Sequence, residues 1–232
     1  MAVPTLVIVG ADKGGVGKSF ISRTLLDYYR ANNIETRAID TEIPKDDGQP
    51  MGLKRFYANR VEVIDLNKSA GQMKVFDSLK SHPITLIDIR AGLLTETLTM
   101  LKETGFFEGG GISAKRFNIV VLHILSGTVA SYAEVKSMGS IISNARHLLV
   151  KNHMNENSFF DWTKDVNFVG DEVINIPKLN ELATEHVDAA AMSFSDFVAD
   201  VEHQSETLRG YVRHWLANVF KVYDAAKLNV LT

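Results

Sequence analysis

The 232-residue chain contains no cysteine, which excludes disulfide bonds, thiolate zinc sites and cysteine-ligated iron–sulfur clusters. It has only five prolines, and no apolar run approaches the ~20 residues of a membrane span. The net charge of −3 gives no global basic field, so any DNA contact would need a local patch. The first residues, Met-Ala-Val-Pro, lack the basic region of a signal peptide, and we expect a cytoplasmic protein.

Short apolar runs alternate with helical stretches along the chain. The runs predict strands over 6–9, 36–39, 61–66, 84–89, 119–125, 147–150 and 173–176, and the stretches between them predict helices over 20–31, 70–81, 93–103 and 129–144. Continuous apolar strands separated by helices predict an α/β fold whose mostly parallel central sheet carries helices on both faces, in three layers. The length suits a single domain, 1–232, with a helical part from about residue 181.

The segment between the first strand and the first helix carries the clearest chemical signal. Residues 12–19 read Asp-Lys-Gly-Gly-Val-Gly-Lys-Ser. Glycines let successive backbone N–H groups form an anion nest, to which a helix N-terminus adds partial positive charge. Lys18 is placed to reach the β- and γ-phosphates of a nucleotide, and the Ser19 hydroxyl to bind Mg²⁺. We expect a phosphate-binding P-loop formed by Asp12, Lys13, Gly14, Gly15, Val16, Gly17, Lys18, Ser19 and Phe20.

The loop resembles that of the deviant Walker A ATPases, the ParA/MinD family, whose signature is K-G-G-x-G-K-[ST]. The segment from Lys13 to Ser19 fits this signature without a mismatch, and Asp12 occupies the place of the first glycine of the common P-loop. In that family the first lysine crosses a dimer interface to the phosphates bound by the partner subunit. The resemblance implies that Lys13 is this lysine and that ATP joins two copies in a sandwich homodimer.

Two strands end in aspartate. Asp88 ends the strand over 84–88 and is placed beside the P-loop, where it can hold Mg²⁺, often through water. Asp40 ends the second strand, and its resemblance to the family's switch I aspartate implies that it positions the attacking water or orders the water shell of Mg²⁺. Glu42 occupies the place of the motif's second aspartate, and its role stays open. The predicted metal site therefore comprises Ser19, Asp40 and Asp88, and the predicted catalytic residues are Lys13, Lys18 and Asp40.

Two further segments are candidates for sensing nucleotide state. Gly92 matches the glycine of the family's D-x-P-x-G switch, whose backbone N–H can sense the γ-phosphate. Arg90 departs from the proline of that motif, and a solvent or interface salt bridge explains it as well as a catalytic role does. Prolines and glycines between residues 43 and 59 predict a mobile loop that responds to nucleotide state.

The nucleotide base is predicted from two later segments. GTPases read guanine with the aspartate of an N-K-x-D motif, and the segment Lys151-Asn152-His153-Met154 lacks that aspartate, which favours adenine. In the ParA/MinD family an asparagine at this place and a loop beginning with proline cradle the base. Asn152 matches the first feature, and Pro177 with Lys178 resembles the second.

These features predict a Mg²⁺-dependent ATPase that binds ATP, hydrolyses it slowly and acts as a molecular switch. The resemblance implies plasmid or chromosome partition, or positioning of a cellular complex, with an unidentified partner protein or cargo adaptor and non-specific DNA as a candidate matrix. An apolar stripe from Leu208 to Tyr223 favours a core-packing final helix, so a membrane is a less favoured partner. The open alternatives are a metabolic ligase or kinase of dethiobiotin-synthetase type, a nucleotide-gated interaction module with little hydrolysis, and a GTPase.

Overall fold

A computed structural model of the chain describes residues 3–44, 48–49, 51–105, 117–125, 145–154 and 172–230. The helix predicted over 129–144 lies outside these residues. All seven predicted strands are present, and a described helix occupies all or part of each of the other predicted helical stretches.

The strands form one sheet. They are β1 (Thr5–Gly10), β2 (Thr36–Asp40), β3 (Val61–Val63), β4 (Ile84–Asp88), β5 (Asn118–Leu125), β6 (Arg146–Asn152) and β7 (Glu172–Ile176). Their order is β3-β2-β4-β1-β5-β6-β7, and every neighbouring pair is parallel. The predicted α/β class with a parallel central sheet is therefore confirmed.

Helices pack on both faces of this sheet. Those of the described chain are α1 (Lys18–Ala31), α2 (Ser69–Phe76), α3 (Leu94–Glu103), α4 (Glu181–Ala190), α5 (Phe194–Ala199) and α6 (Glu206–Ala225). The side chains of Asn180 and Ser193 cap α4 and α5, because each accepts a hydrogen bond from the backbone N–H three residues later. None of the described helices is both long enough and apolar enough to cross a membrane.

Two hydrophobic cores lie on opposite sides of the sheet. Alternation along β1 places Val7 and Val9 in one core and Leu6 and Ile8 in the other. The first core includes α1 and the C-terminal helices α4 to α6, and the second includes α2 and α3. The apolar stripe of α6 is buried in the first core, as predicted. The molecule thus has the predicted three layers.

Two predicted boundaries near the edge of the sheet are wrong. The strand predicted over 61–66 ends at Val63, because its partner β2 ends at Asp40, the residue that pairs with Val63. A turn follows, in which Asn67 N donates to Asp65 Oδ1 at 3.1 Å. The helix predicted over 70–81 ends at Phe76, and Leu79–Ser81 form a separate 3-10 turn.

The carboxyl ends of the central strands meet at one edge of the sheet. Asp40 of β2 lies beside Asp88 of β4, and Val9 of β1 lies on the other side of Asp88. The P-loop follows β1 directly, so the fold brings the loop and both predicted metal-binding aspartates to the same place. This is the edge at which open α/β sheets bind their ligands.

Candidate functional site

The P-loop turns into α1 through Gly17, which has a left-handed backbone conformation with φ of 89°. A Cβ atom at this position would lie 2.2 Å from Asn152 Nδ2 and 2.8 Å from Met154 Sδ. Only glycine avoids both the backbone strain and this collision. The amide of Asn152 also donates to the carbonyl of Val16 at 3.1 Å, so the end of β6 supports the loop directly.

Two lysines flank the loop glycines. Lys18 is the first residue of α1, and its Nζ donates to the carbonyl oxygen of Lys13 at 2.9 Å. Its ammonium group therefore lies over the loop, on the side that faces the end of the sheet. The side chain of Lys13 is half-buried, and this residue does not line the cleft described next.

A cleft of about 380 Å³ opens between the P-loop and the ends of β2 and β4. It unites most of the residues predicted to bind phosphate and metal with Glu42 and Arg90. Its lining comprises Gly14, Gly15, Gly17, Lys18, Ser19, Phe20, Asp40, Glu42, Met51, Gly52, Asp88, Ile89, Arg90 and Ala91. Asn152, Pro177 and Lys178 do not line it.

Asp88 lies at the floor of the cleft and is 3% exposed. Burial raises the pKa of its carboxyl to about 7, and the nearby carboxylate of Asp40 adds to this rise. Hydrogen bonds from the hydroxyls of Ser19 and Ser22 lower it, the latter at 3.0 Å. Sequence reasoning missed Ser22, although its position one helical turn after Ser19 puts both hydroxyls on the same face of α1.

Asp40 is 1% exposed and accepts hydrogen bonds on both of its oxygens. Glu42 N donates to Oδ1 and Lys54 N to Oδ2, each at 2.8 Å. Burial raises the pKa of Asp40 to about 6 despite these bonds, and the carboxylate of Glu42 adds to the rise. Gly52 has φ of 54°, and a Cβ there would lie 2.7 Å from Asp40 Oδ2. The carboxylate thus anchors the short 3-10 helix Gly52–Arg55, in a region where the sequence predicts a mobile loop.

Thr41 connects the two candidate switch segments, and sequence reasoning missed it. Both its backbone N–H and its hydroxyl donate to the carbonyl of Asp88 at 3.1 Å, and its hydroxyl accepts from Arg90 N at 2.8 Å. The residue is buried. The end of β2 and the segment after β4 are therefore held together by one side chain.

Asp12 faces α3. Its carboxylate accepts hydrogen bonds from Leu94 N at 2.9 Å, from Thr95 N at 3.2 Å and from the Thr95 hydroxyl. These donors belong to the first turn of α3, where a carboxylate is stabilised by the helix dipole. An aspartate in place of the usual glycine thus ties the P-loop to the helix that follows β4. The Gly92 N–H, predicted to sense phosphate, donates to the carbonyl of Asp12 at 2.9 Å in this conformation.

A second, smaller pocket of about 210 Å³ adjoins the cleft at Ser19 and Phe20. It contains the residues predicted to hold the base, together with side chains from α1, α4 and the segment after the 3-10 helix. Its lining comprises Ser19, Phe20, Arg23, Phe56, Asn152, His153, Met154, Pro177, Lys178, Leu179, Thr184 and Asp188. Asn152, Pro177 and Lys178, predicted from separate segments, lie at one site.

The donor set of the cleft fits a divalent cation. Asp40 and Asp88 are buried side by side, and burial raises the pKa of each carboxyl despite the hydrogen bonds that it accepts. A hard cation prefers such oxygen ligands and would stabilise their ionised forms. Among the described residues, no group of three or more His, Cys, Asp or Glu side chains is arranged so that it could hold a metal ion.

Structural comparison identifies the fold. A nucleotide-binding protein of Archaeoglobus fulgidus in complex with ADP has a TM-score of 0.51 and 15% identity over 82% of this chain and 87% of its own. The MinD cell division protein of Aquifex aeolicus has a TM-score of 0.50 and 11% identity over 92% of this chain and 97% of its own. A Borrelia burgdorferi protein assigned to plasmid partition and bound to AMPPNP has a TM-score of 0.50 and 11% identity over 94% of this chain and 98% of its own.

These likenesses confirm the predicted resemblance to the ParA/MinD type of P-loop protein at the level of the fold. No protein-family model and no curated protein sequence matches the chain. Identities of 11 to 15% establish a shared fold alone. The function therefore has to be inferred from the geometry of the site.

Proposed function

We propose that this chain is an ATP-binding and slowly hydrolysing molecular switch. The observation that carries the proposal is the convergence of Lys18, Ser19, Asp40 and Asp88 on one cleft at the carboxyl ends of β1, β2 and β4. Phosphoryl transfer requires positioning and charge neutralisation more than covalent chemistry, and these residues offer both. The P-loop amides and Lys18 would bind the phosphates, and Asp40 would orient the attacking water.

Mg²⁺ would be held by Ser19 and Asp88, with Asp40 acting directly or through water. The ion would supply positive charge to the phosphates during transfer. Adenine is the proposed base, because the segment after β6 lacks the aspartate with which GTPases read guanine. Asn152, Pro177 and Lys178 border the pocket in which the base would lie.

The switch would work through dimerisation. Lys13 is half-buried at the edge of the loop and does not line its own cleft, which suits a lysine that acts on the phosphates of a second copy. ATP would favour the sandwich dimer and hydrolysis would release it, because a switch transmits only what differs between its two states. Partition of plasmids or chromosomes, or positioning of a cytoplasmic complex, is the proposed role.

Co-sedimentation with non-specific double-stranded DNA tests this role. The purified protein is compared in Mg-ATP, Mg-ADP and no nucleotide at moderate salt, beside Lys13→Ala. Binding with ATP alone, lost in Lys13→Ala, supports the partition-type switch. Absence of DNA binding in all states contradicts a DNA matrix and redirects the search to a protein partner, a membrane or a metabolic acceptor.

One observation favours the alternative of a nucleotide-gated module with little hydrolysis. Both oxygens of Asp40 accept backbone hydrogen bonds from Glu42 and Lys54, so in this conformation the carboxylate is engaged as an anchor. Steady-state turnover of Asp40→Ala separates the two functions. A loss of turnover of about a hundredfold indicates a catalytic aspartate. Unchanged turnover indicates that Asp40 only anchors the loop.

A further inference from the structure

The pocket beside the P-loop contains a carboxylate that the predicted base-binding residues do not account for. Asp188 lies in the last turn of α4 and lines this pocket together with Ser19 and Phe20. Its Oδ1 accepts from Arg23 Nη1 at 2.6 Å, and its side chain is 47% exposed. Within the described part of the chain Oδ2 has no hydrogen-bond partner. One carboxylate oxygen is thus fixed, and the other remains an acceptor at the wall of the pocket.

The buried guanidinium of Arg23 fixes the position of the Asp188 carboxylate. The Arg23 side chain is 2% exposed, and its guanidinium carbon lies 3.6 Å from the ring centre of Phe56 and 4.3 Å from that of Phe194. Its Nη2 also donates to the carbonyl of Met192 at 3.2 Å. A guanidinium held between two aromatic rings has little freedom, so it fixes the direction of the carboxylate that it binds.

Three other polar groups at the pocket have partners within the protein. The carbonyl of Pro177 accepts from Trp215 Nε1 at 2.7 Å, and the amide of Asn152 donates to Val16 O. The hydroxyl of Thr184 donates to the carbonyl of Asn180 at 3.0 Å. Among the described residues that line the pocket Asp188 is the one carboxylate, and it shares the lining with polar side chains and with the apolar Phe20, Phe56, Met154, Pro177 and Leu179.

We propose that Asp188 recognises the base of the bound nucleotide by accepting a hydrogen bond from an N–H donor on the edge of a purine. This inference rests on the proposed function, because it requires a nucleotide in the adjoining cleft. For ATP the donor is the 6-amino group. Guanine offers the same chemistry through its N1–H and 2-amino groups. Arg23 acts as a positioning residue, and the aromatic rings of Phe20 and Phe56 provide flat surfaces beside the base.

The test compares the affinity of the unmodified protein for ATP and for purine riboside triphosphate, which lacks only the 6-amino group, by calorimetric titration with Mg²⁺. The expected result is that ATP binds at least about tenfold more tightly, the usual effect of a hydrogen bond to a charged acceptor. GTP and ITP form a second pair that differs in the 2-amino group. Preferences for GTP over ATP and over ITP would support Asp188 as the base reader but identify the base as guanine.

Two variants assign the effect to Asp188. In Asp188→Ala the preference for ATP over the analogue should disappear. In Asp188→Asn the amide oxygen should accept from Arg23 and turn the NH₂ group towards the pocket, where it opposes the amino group of adenine, so the preference should vanish or invert. Asp196→Asn is the matched control, because Asp196 pairs with Arg30 at 2.7 Å with similar exposure but does not line the pocket. It should retain the full preference.

The outcomes separate this proposal from the function on which it rests. Equal binding of ATP and its analogue, together with equal binding of GTP and ITP, by the unmodified protein overturns the role of Asp188 while leaving nucleotide binding intact. Retention of the preference in Asp188→Asn overturns it as well. Failure of the unmodified protein to bind any of the four nucleotides overturns the proposed function itself. The analogue comparison needs no mutation, so it can overturn the proposal even if Asp188→Ala does not fold, and Asp188→Asn then assigns the effect.

Discussion

The cleft and the smaller pocket beside it differ in how their charged side chains are paired. In the cleft, Asp40 and Asp88 lie side by side, burial raises the pKa of both carboxyls, and the carboxylate of Asp40 adds to the rise for Asp88. In the smaller pocket, the charge of Asp188 is matched by a buried guanidinium 2.6 Å away. The cleft is therefore poised to take up positive charge, whereas the pocket already pairs its two opposite charges and keeps one carboxylate oxygen of Asp188 as a hydrogen-bond acceptor. The first arrangement suits metal-dependent phosphate chemistry, and the second suits selection by shape and hydrogen bonding.

The pocket should depend on Arg23 for stability. Arg23→Ala removes the guanidinium from between Phe56 and Phe194 and leaves a cavity, so the free energy of unfolding should fall by about 3 kcal/mol. Urea denaturation measures the change. Arg30→Ala is the matched control, because it breaks an exposed pair with Asp196 that should be worth less than about 1 kcal/mol. Equal losses in the two variants would contradict the view that the Arg23 pair is a structural part of the pocket.

The cleft should depend on Lys18 for binding rather than for stability. Lys18→Ala removes the ammonium group that lies over the loop, so affinity for Mg-ATP should fall by about a hundredfold with little change in unfolding free energy. Calorimetric titration provides the affinity. Lys74→Ala, which alters an exposed ion pair with Glu62, should bind ATP like the unmodified protein. Unchanged affinity in Lys18→Ala would place the phosphate site elsewhere.

The burial of Asp88 beside the carboxylate of Asp40 predicts that the stability of the protein depends on pH. The pKa of Asp88 is raised from 3.8 to about 7 in the folded protein, so ionising this carboxyl lowers the free energy of unfolding. This loss of stability develops as the pH rises from about 3.8 to about 7. In the absence of nucleotide, Asp88→Asn should therefore increase the free energy of unfolding at pH 8 by roughly 2 kcal/mol and have little effect near pH 4.

Denaturation at the two pH values measures this difference, with the exposed Asp77→Asn as control. Binding should show the opposite trend in the unmodified protein. Protons compete with Mg²⁺ for Asp88, so the enhancement of ATP affinity by Mg²⁺ should weaken as pH falls below about 7. A pH-independent difference between Asp88→Asn and the unmodified protein would show that the carboxylates are not crowded.

Asp12 provides the smallest expected effect and tests whether the cleft is mechanically tied to α3. Asp12→Ala removes the acceptor for Leu94 N and Thr95 N, and the unfolding free energy should fall by about 1 kcal/mol. Asp12→Asn keeps an acceptor and should lose less. Hydrogen exchange of the first turn of α3 should rise in Asp12→Ala. Unaltered exchange would indicate that this cap does not stabilise the helix.

The sequence predicts the cleft better than the smaller pocket, because the two differ in how many separate segments of the chain form them. The phosphate side of the cleft is one contiguous segment, residues 12–19, and the two aspartates end apolar strands, so the alternation of strands and helices was sufficient to bring them together. The smaller pocket joins α1, the segment around Phe56, the end of β6 and α4. Asn152 and Pro177 were found through resemblance, but no local pattern links Arg23 with Asp188, which is 165 residues later.

The hydrogen bonds to backbone groups could not be predicted from the sequence for a different reason. Asp12 and Gly92 were predicted as phosphate contacts from their places in motifs, yet their hydrogen bonds join the P-loop to the start of α3 and to each other. Likewise residues 43–59 have the composition of a mobile loop, and that composition does not reveal the 3-10 helix Gly52–Arg55, whose Lys54 N donates to Asp40. Such hydrogen bonds form where the fold brings backbone groups close to their partners. Residue types alone do not reveal which backbone groups these are.

Sedimentation velocity of the protein in Mg-ATP, Mg-ADP and no nucleotide, alongside Lys13→Ala, tests the central claim most directly. An ATP-driven sandwich predicts a dimer with Mg-ATP alone, and predicts that Lys13→Ala stays monomeric while still binding ATP. The same oligomeric state in ATP and ADP, or a Lys13→Ala protein that dimerises like the unmodified one, would contradict a nucleotide-controlled switch built on this loop.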